Sequence, residues 1–471
     1  MEKSRQGRAF GLCGGMTLAF FLIQTVFMKG TLGHIGGLGQ AFALSALFSL
    51  VLGGTLCVFT HLQRPKTKTL VLTGVFLSLT MLARVAMLDF ATADYGSFLE
   101  PWVDIFRQGG FKMLGENVGD YNLLYQYILL GISKVPLYDL YLIKFVTIVF
   151  DYALALAMMC AAGRFAGEKT KLPVFFIICA LPTTLLDGAC WGQCDSVYVF
   201  FIVMSLYWLK TDKPVCSAAM LAIAFAFKLQ TIFFFPVVLL ALIHGEYKPR
   251  HALAFFAAYL VTMIPALIAG RPFMDALSVY ANQSMGQYYD RLTYNAPNLY
   301  LFFPMLEFSN SQESTWMRYI DGVKQKAMNP YLREDLMPMM QSAALYACIL
   351  LTLVVVVYWL IHYKEITPDM TLTFALFFAI FLPFVMPKIH ERYFYLADML
   401  SILYAARRKD RQFMPLLVVG ASFLSYLPYM LRQRPVDERW IALMMLAALV
   451  VVSRDLLWGM RKNRVKEAEA Q

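Results

Sequence analysis

Charge is scarce in this chain of 471 residues: Asp, Glu, Lys and Arg together make up 15%, against 59% hydrophobic residues, and the mean hydropathy is +0.58. That balance excludes an ordinary soluble domain. The strict alternation of apolar and polar residues that a membrane barrel needs is also missing. What remains is the helix, because only a helix satisfies its own backbone in hydrocarbon. Stretches such as "GLCGGMTLAFFLIQTVF", "LTLVVVVYWLI" and "IALMMLAALVVV" are near the length such a crossing requires. No small-residue cleavage site follows "FLIQTVFMKG", so the first apolar stretch reads as a retained helix and not as a signal peptide. Internal repeats, low-complexity tracts and soluble inserts are absent, and residues 1–471 read as one all-α membrane domain. The eight cysteines are scattered through apolar spans, which argues against a disulfide framework or a zinc site. Cys190 and Cys194 flank "WGQ" and read as small packing residues.

The net charge of +10 points to topology and not to nucleic acid, since Lys and Arg fall in short loops between apolar spans. With Lys3, Arg5 and Arg8 inside, "HLQRPKTK", "GRFAGEKTK", "KTDKP", "EYKPRH", "ARRKDR" and "RKNRVK" fall inside too. This arrangement needs about 14 helices, centred near residues 19, 50, 78, 149, 180, 202, 221, 238, 260, 352, 378, 399, 422 and 447. Both termini are then cytoplasmic. Two outer segments are long, residues 89–136 and 270–341, and both are rich in Tyr, Trp, Pro and Asn. Such segments suit an interfacial cover over a cavity better than a floppy linker. Within the first, "YNLLYQYILLGIS" reads as a short interfacial or membrane-dipping helix. Shorter outer turns add "CWGQCD" and "MPKIHERYFY", so four polar patches are expected on one membrane face.

Neither a G-x-x-x-x-G-K-S phosphate loop nor an Asp-x-Asp pair for a nucleotide-bound metal occurs. Nucleotide donors are in any case scarce on an outer face. An energy-rich donor there has to arrive in the membrane, and a polyprenyl-phosphate sugar meets that requirement.

"ADYGSFLEPW", followed by "GDYNLLYQYILL", resembles the first outer loop of the GT-C glycosyltransferases, where an Asp-Tyr or Asp-Glu pair soon after a transmembrane helix holds the catalytic acid residue. "GDYNLLYQY" is similar to the "DYPPL" segment of the dolichyl-phosphate-glucose-dependent glucosyltransferases of the N-glycan pathway, with Asn122 and Leu123 replacing the prolines. "FKLQTIFFFP" and "IHERYFYLADML" resemble two later segments of that family. "WGQCDSVYVFF", "YNAPNLY" and "HERYFYL" also resemble bacterial mannosyltransferase-like proteins of surface polysaccharide pathways. The resemblance spans residues 80–405 as spaced motifs. One departure is that two helices precede the one leading into the catalytic loop.

The resemblance implies an inverting hexosyltransferase with Asp94 as general base, which takes the proton of an acceptor hydroxyl as that oxygen attacks the anomeric carbon. A helix cap is the plainer reading of Asp94, and Asp89 and Asp120 are reserve bases. His390 and Arg392 are expected at the donor phosphate, where preorganised cations stabilise the departing charge. Lys228 is placed there as well, against snorkelling as the plainer reading. Asp120, Tyr121, Gln193 and Asp195 are candidates for sugar or acceptor hydroxyls, with Trp191 as a stacking surface. Arg291 and Asn295 are further contacts from the long loop. Arg84 and Asp151 lie within predicted spans and are expected to pair structurally. Glu100 reads as interfacial, and Trp102 as an anchor of the loop.

No metal or cofactor is expected beyond the lipid-linked donor. The partners are that donor, a lipid-linked glycan or cell-surface polysaccharide acceptor and membrane lipids, with the chain as a monomer. The location is a bacterial plasma membrane with the site on the outer face, or alternatively the endoplasmic reticulum. Three alternatives stand beside this reading: a transporter or flippase of lipid-linked sugars, a protein O-mannosyltransferase and a scaffolding membrane protein. A transporter should carry interrupted helices in two related halves, and no such pairing is visible.

Overall fold

The computed structural model describes residues 2–281, 292–303, 337–432 and 434–470. The protein is an all-α polytopic bundle, and helices stand at all fourteen centres expected from the sequence. Among the described residues, nine helices are long and apolar enough to cross a membrane. A tenth span is possible as the bent pair Glu168–Ala180 and Pro182–Trp191, turned by 41°. The expected count of about 14 is therefore too high by that measure. The helices near 202, 221, 238 and 399 are real but too short for a straight crossing, since a 15-residue helix such as Asp195–Leu209 reaches only about 22 Å at 1.5 Å per residue. Two compact units divide the chain: Met1–Thr231 with Arg250–Tyr280, and Ile232–Pro249 with Ala281–Gln471.

In the first unit α1 (Glu2–Thr31), α2 (Leu38–Gln63) and α3 (Thr67–Val85) precede a π-helical turn, Tyr95–Leu99, and the amphipathic α4 (Glu100–Gly109). α4 buries Val103 and Phe106, while Arg107 grips both carboxylate oxygens of Asp139 at 2.6 Å. That hydrogen-bonded pair raises the pKa of Arg107, so α4 stays charge-locked to the start of α6 (Asp139–Ala166). Between them α5 (Leu123–Ile132) begins where Asn122 Oδ1 accepts Leu123 N–H at 2.7 Å, an N-cap. Its first leucine is buried with Ala222, Ala226, Tyr259, Met263 and Ala266, so this short helix is packed into protein. α7 (Lys171–Ala180), the π-turn Leu185–Trp191, α8 (Asp195–Leu209), α9 (Pro214–Phe227) and, after an excursion into the second unit, α11 (Pro249–Ile268) complete the unit.

The second unit contains α10 (Phe235–Ile243), α12 (Met337–Ile361), α13 (Thr371–Val385), α14 (Tyr395–Arg407), α15 (Met414–Leu431) and α16 (Glu438–Ala470). α12 and α13 are both strongly apolar, yet the span of α13 is 72% buried and that of α12 only 11%. Hydropathy cannot separate a core helix from a lipid-facing one, because hydrocarbon and protein interior are equally apolar solvents for Leu and Val.

Arg84 and Asp151 pair as expected, with Nε to Oδ2 at 3.1 Å and both side chains fully buried. Arg84 also donates to the carbonyls of Cys179 and Thr80, at 2.9 and 3.3 Å, so one guanidinium ties α3, α6 and α7. Removing one partner leaves a buried charge uncompensated, whereas replacing both with apolar groups does not. Asp151→Ala should therefore lower stability by about 3–5 kcal/mol, and the pair Arg84→Met with Asp151→Leu should recover most of it. Reversible SDS unfolding of the purified protein checks this; equal losses in the single and double variants would contradict the assignment.

Candidate active site

In the first unit Asp94 stands just before the π-turn Tyr95–Leu99, half-buried. Its Oδ2 accepts two hydrogen bonds, from the indole N–H of Trp191 at 3.0 Å and from Nε2 of Gln193 at 2.9 Å. Tyr121 donates to Oε1 of the same Gln193 at 2.9 Å. The amide orientation of Gln193 follows from these partners: its NH₂ faces the carboxylate and its oxygen faces the phenol. "ADYG", "GDYN" and "WGQCD", about 100 residues apart at the extremes, thus meet through four side chains.

Local backbone makes this meeting possible. Gly192 has φ +79°, and its N–H and that of Gln193 return to the carbonyls of Gly188 and Asp187, closing the π-turn and sending Gln193 back toward Asp94. A left-handed residue in such a tight turn favours glycine. Gly119, at φ +71°, has the indole of Trp102 so close that an added Cβ would sit 2.5 Å from it. Trp102 then meets Tyr121 edge to face, with centroids 5.8 Å apart, so it anchors the loop on the loop's own residues. Burial pushes the Tyr95 hydroxyl well above its usual range, which keeps it protonated beside Glu100 Oε1 at 3.4 Å.

The remaining candidates fall into distinct places. Asp89, a reserve base, accepts from Gly33 N–H at 2.9 Å and from the Tyr141 hydroxyl, and so pins the α1–α2 turn. Asp120 is exposed. Trp191 is 1% exposed, so it offers no open face for a sugar to stack on and acts as a donor to Asp94 instead. Lys228 and Asp195, expected at phosphate and sugar respectively, bind each other at 2.7 Å, with the carboxylate fully buried. A phosphate at Lys228 would have to compete with that carboxylate in a low-dielectric setting. Cys194 precedes α8 as its cap residue, and Asp195 is the first helical residue. Cys190 and Cys194 are buried and form no disulfide among the described residues.

In the second unit "YNAPNLY" and "KIHERY" form a two-stranded parallel sheet, β1 (Thr293–Tyr294) and β2 (Ile389–His390). The His390 ring stacks on Tyr294 with centroids 4.6 Å apart and 14° between planes, and its Nδ1 lies 3.8 Å from Glu391. Asn295 bridges to His390 and accepts from Arg434 at 3.5 Å. Arg392 is half-buried, with its guanidinium 5.9 Å from the Tyr393 ring centroid. Arg434 escaped the sequence reading: it lies in a short polar turn with no motif, and only the fold carries it to Asn295. Arg291 lies outside the described residues. Among those residues, no group of three or more His, Cys, Asp and Glu side chains is gathered as a metal-ligand set.

The fold is a polytopic helix bundle, and the family comparison makes it a membrane glycosyltransferase of the GT-C type. The chain belongs to glycosyltransferase family 87, whose model matches residues 135–387. No curated protein matches the chain. The matched stretch contains Trp191, Gln193, Asp195 and Lys228, whereas Asp94, Asp120, His390 and Arg392 lie outside it.

Gln193→Leu removes one donor from the Asp94 carboxylate while keeping a side chain of similar length. A hydrogen bond to a charged group contributes about 1.5 kcal/mol, so glycosyl transfer should slow roughly tenfold. Unfolding measured in parallel should shift by about 1–3 kcal/mol, the cost of unpairing Asp94 and Tyr121, with the fold retained; an unchanged rate would remove Gln193 from the site.

Proposed function

We propose that the protein transfers a hexose, with inversion, from a polyprenyl-phosphate sugar to a lipid-linked glycan or cell-surface polysaccharide on the outer face of the membrane. Asp94 is the general base. The acceptor oxygen forms a bond to the anomeric carbon as the bond from that carbon to the phosphate oxygen breaks; Asp94 takes the hydroxyl proton, and the polyprenyl phosphate leaves with the electron pair. The observation that carries this reading is the pair of hydrogen bonds from Trp191 and Gln193 to Asp94 Oδ2, which tie a residue before the family-matched stretch to two residues within it. Held donors of this kind fix the carboxylate, and a fixed base reduces the reorganisation needed during transfer.

On the donor side, His390 and Arg392 are assigned to the phosphate. The stacked Tyr294 fixes the imidazole plane, and a guanidinium matches two phosphate oxygens at once. Lys228 is reassigned to holding Asp195, because a buried ammonium already paired at 2.7 Å gains little from a second anion. Asp120 and Tyr121 remain on the acceptor side. The reaction is proposed to need no metal ion.

The test is mass-spectrometric, with protein in lipid nanodiscs, a panel of short polyprenyl-phosphate hexoses and a glycolipid extract, in the presence and absence of EDTA. Wild type should consume one donor with either buffer. Asp94→Asn should bind that donor and transfer nothing. His390→Ala should raise the donor KM by the equivalent of about 1.5–3 kcal/mol, the worth of a charged hydrogen bond. Donor consumption by Asp94→Asn would end the general-base assignment, and loss of wild-type transfer in EDTA would end metal independence.

A further inference from the structure

Lys144 stands on α6 and is fully buried, where snorkelling to water is not open to it. Its ammonium donates to the carbonyls of Met87, Leu88 and Phe90 at 2.8, 3.0 and 2.7 Å. An ammonium has three N–H donors, and these three bonds use them all. The acceptors lie just beyond the end of α3, and Met87 O also accepts from Phe90 N–H at 3.2 Å. Asp94 follows four residues after Phe90. On its other side the Lys144 stem lies under the Trp191–Gln193 turn: a Cβ on Gly192 would sit 3.5 Å from Cγ and 3.9 Å from Cε. Thr147, one turn further along the same face, donates to Gly188 O at 3.2 Å. One face of α6 therefore holds both the segment that carries Asp94 and the turn that carries its two donors.

We infer that Lys144 is a positioning residue for the Asp94 carboxylate. Its ammonium ties down residues 87–90 and its stem supports Gly192, so a single side chain sets the separation across which Trp191 and Gln193 reach Asp94. It touches no reacting atom. The inference rests on Asp94 being the base, and its hold on the two segments is measurable without turnover.

The test combines amide hydrogen exchange with kinetics in nanodiscs. Lys144→Met should speed exchange in residues 86–96 and 188–194 together and leave the other helices of the first unit at wild-type rates. It should lower kcat at least tenfold with the donor KM within twofold. Combined with Gln193→Leu, the loss should be clearly smaller than the product of the two single losses, because both act through the same carboxylate. Lys144→Gln, which keeps two N–H donors, should show the same pattern at smaller amplitude, and it decides the matter if the methionine variant does not fold. Wild-type exchange in both segments, exchange raised throughout the unit, or single losses that multiply would each overturn the inference. If wild type transfers sugar from no donor, the general-base reading fails, while the exchange experiment still reports whether Lys144 holds the two segments.

Discussion

Inside an apolar helix bundle water cannot answer a charge, so each buried ionic group has to be met by the protein itself. Three groups in the first unit show how this is done. Arg84 is answered by Asp151 and two carbonyls, Lys144 by three carbonyls, and Lys228 by Asp195. These groups cross-link α3, α6, α7, α8 and the start of the polar loop, and they surround the turn that carries Trp191 and Gln193. An added Cβ on Gly188 would meet Asp151 at 2.9 Å, which shows how closely the turn is laid over the ion pair. Desolvation makes each link costly to break, and that cost gives a loop at a helix end the rigidity of a core.

The second unit uses a different device. Two short segments with little helix preference pair through backbone hydrogen bonds, helped by Lys388 at φ +61°, whose N–H reaches Leu292 O at 2.8 Å. Tyr300 closes the arrangement by donating to Val385 O at 2.9 Å, with Asn298 capping the turn that carries it. The imidazole of His390 is thereby presented on a strand and stacked on a phenol, which fixes its plane.

Much of the site was legible as motifs and little of it as contacts. Asp94, Tyr121 and Gln193 were each singled out from "ADYG", "GDYN" and "WGQCD", and the structure joins them in one hydrogen-bonded chain. The sequence suggests a stacking ring at Trp191, yet the residue uses its N–H, because a buried indole has one polar atom to satisfy and a carboxylate beside it. Asp195 and Lys228 are 33 residues apart and were assigned separate ligands; only packing shows them to be one ion pair. The sequence signal for Lys144 is a lysine well inside the apolar run "DLYLIKFVTIVF".

Composition and hydrophobic periodicity by themselves determined that this is a helical membrane protein, where its helices stand, and that Arg84 needs a partner such as Asp151. Those properties follow from transfer of side chains to hydrocarbon, which each residue feels locally. Which helices face lipid, which short helices are buried in protein, and which donors reach Asp94 were decided only by tertiary structure. Hydrogen bonds act over about 3 Å, and that distance is set by how α3, α6 and the π-turn pack, not by any one segment's own residues.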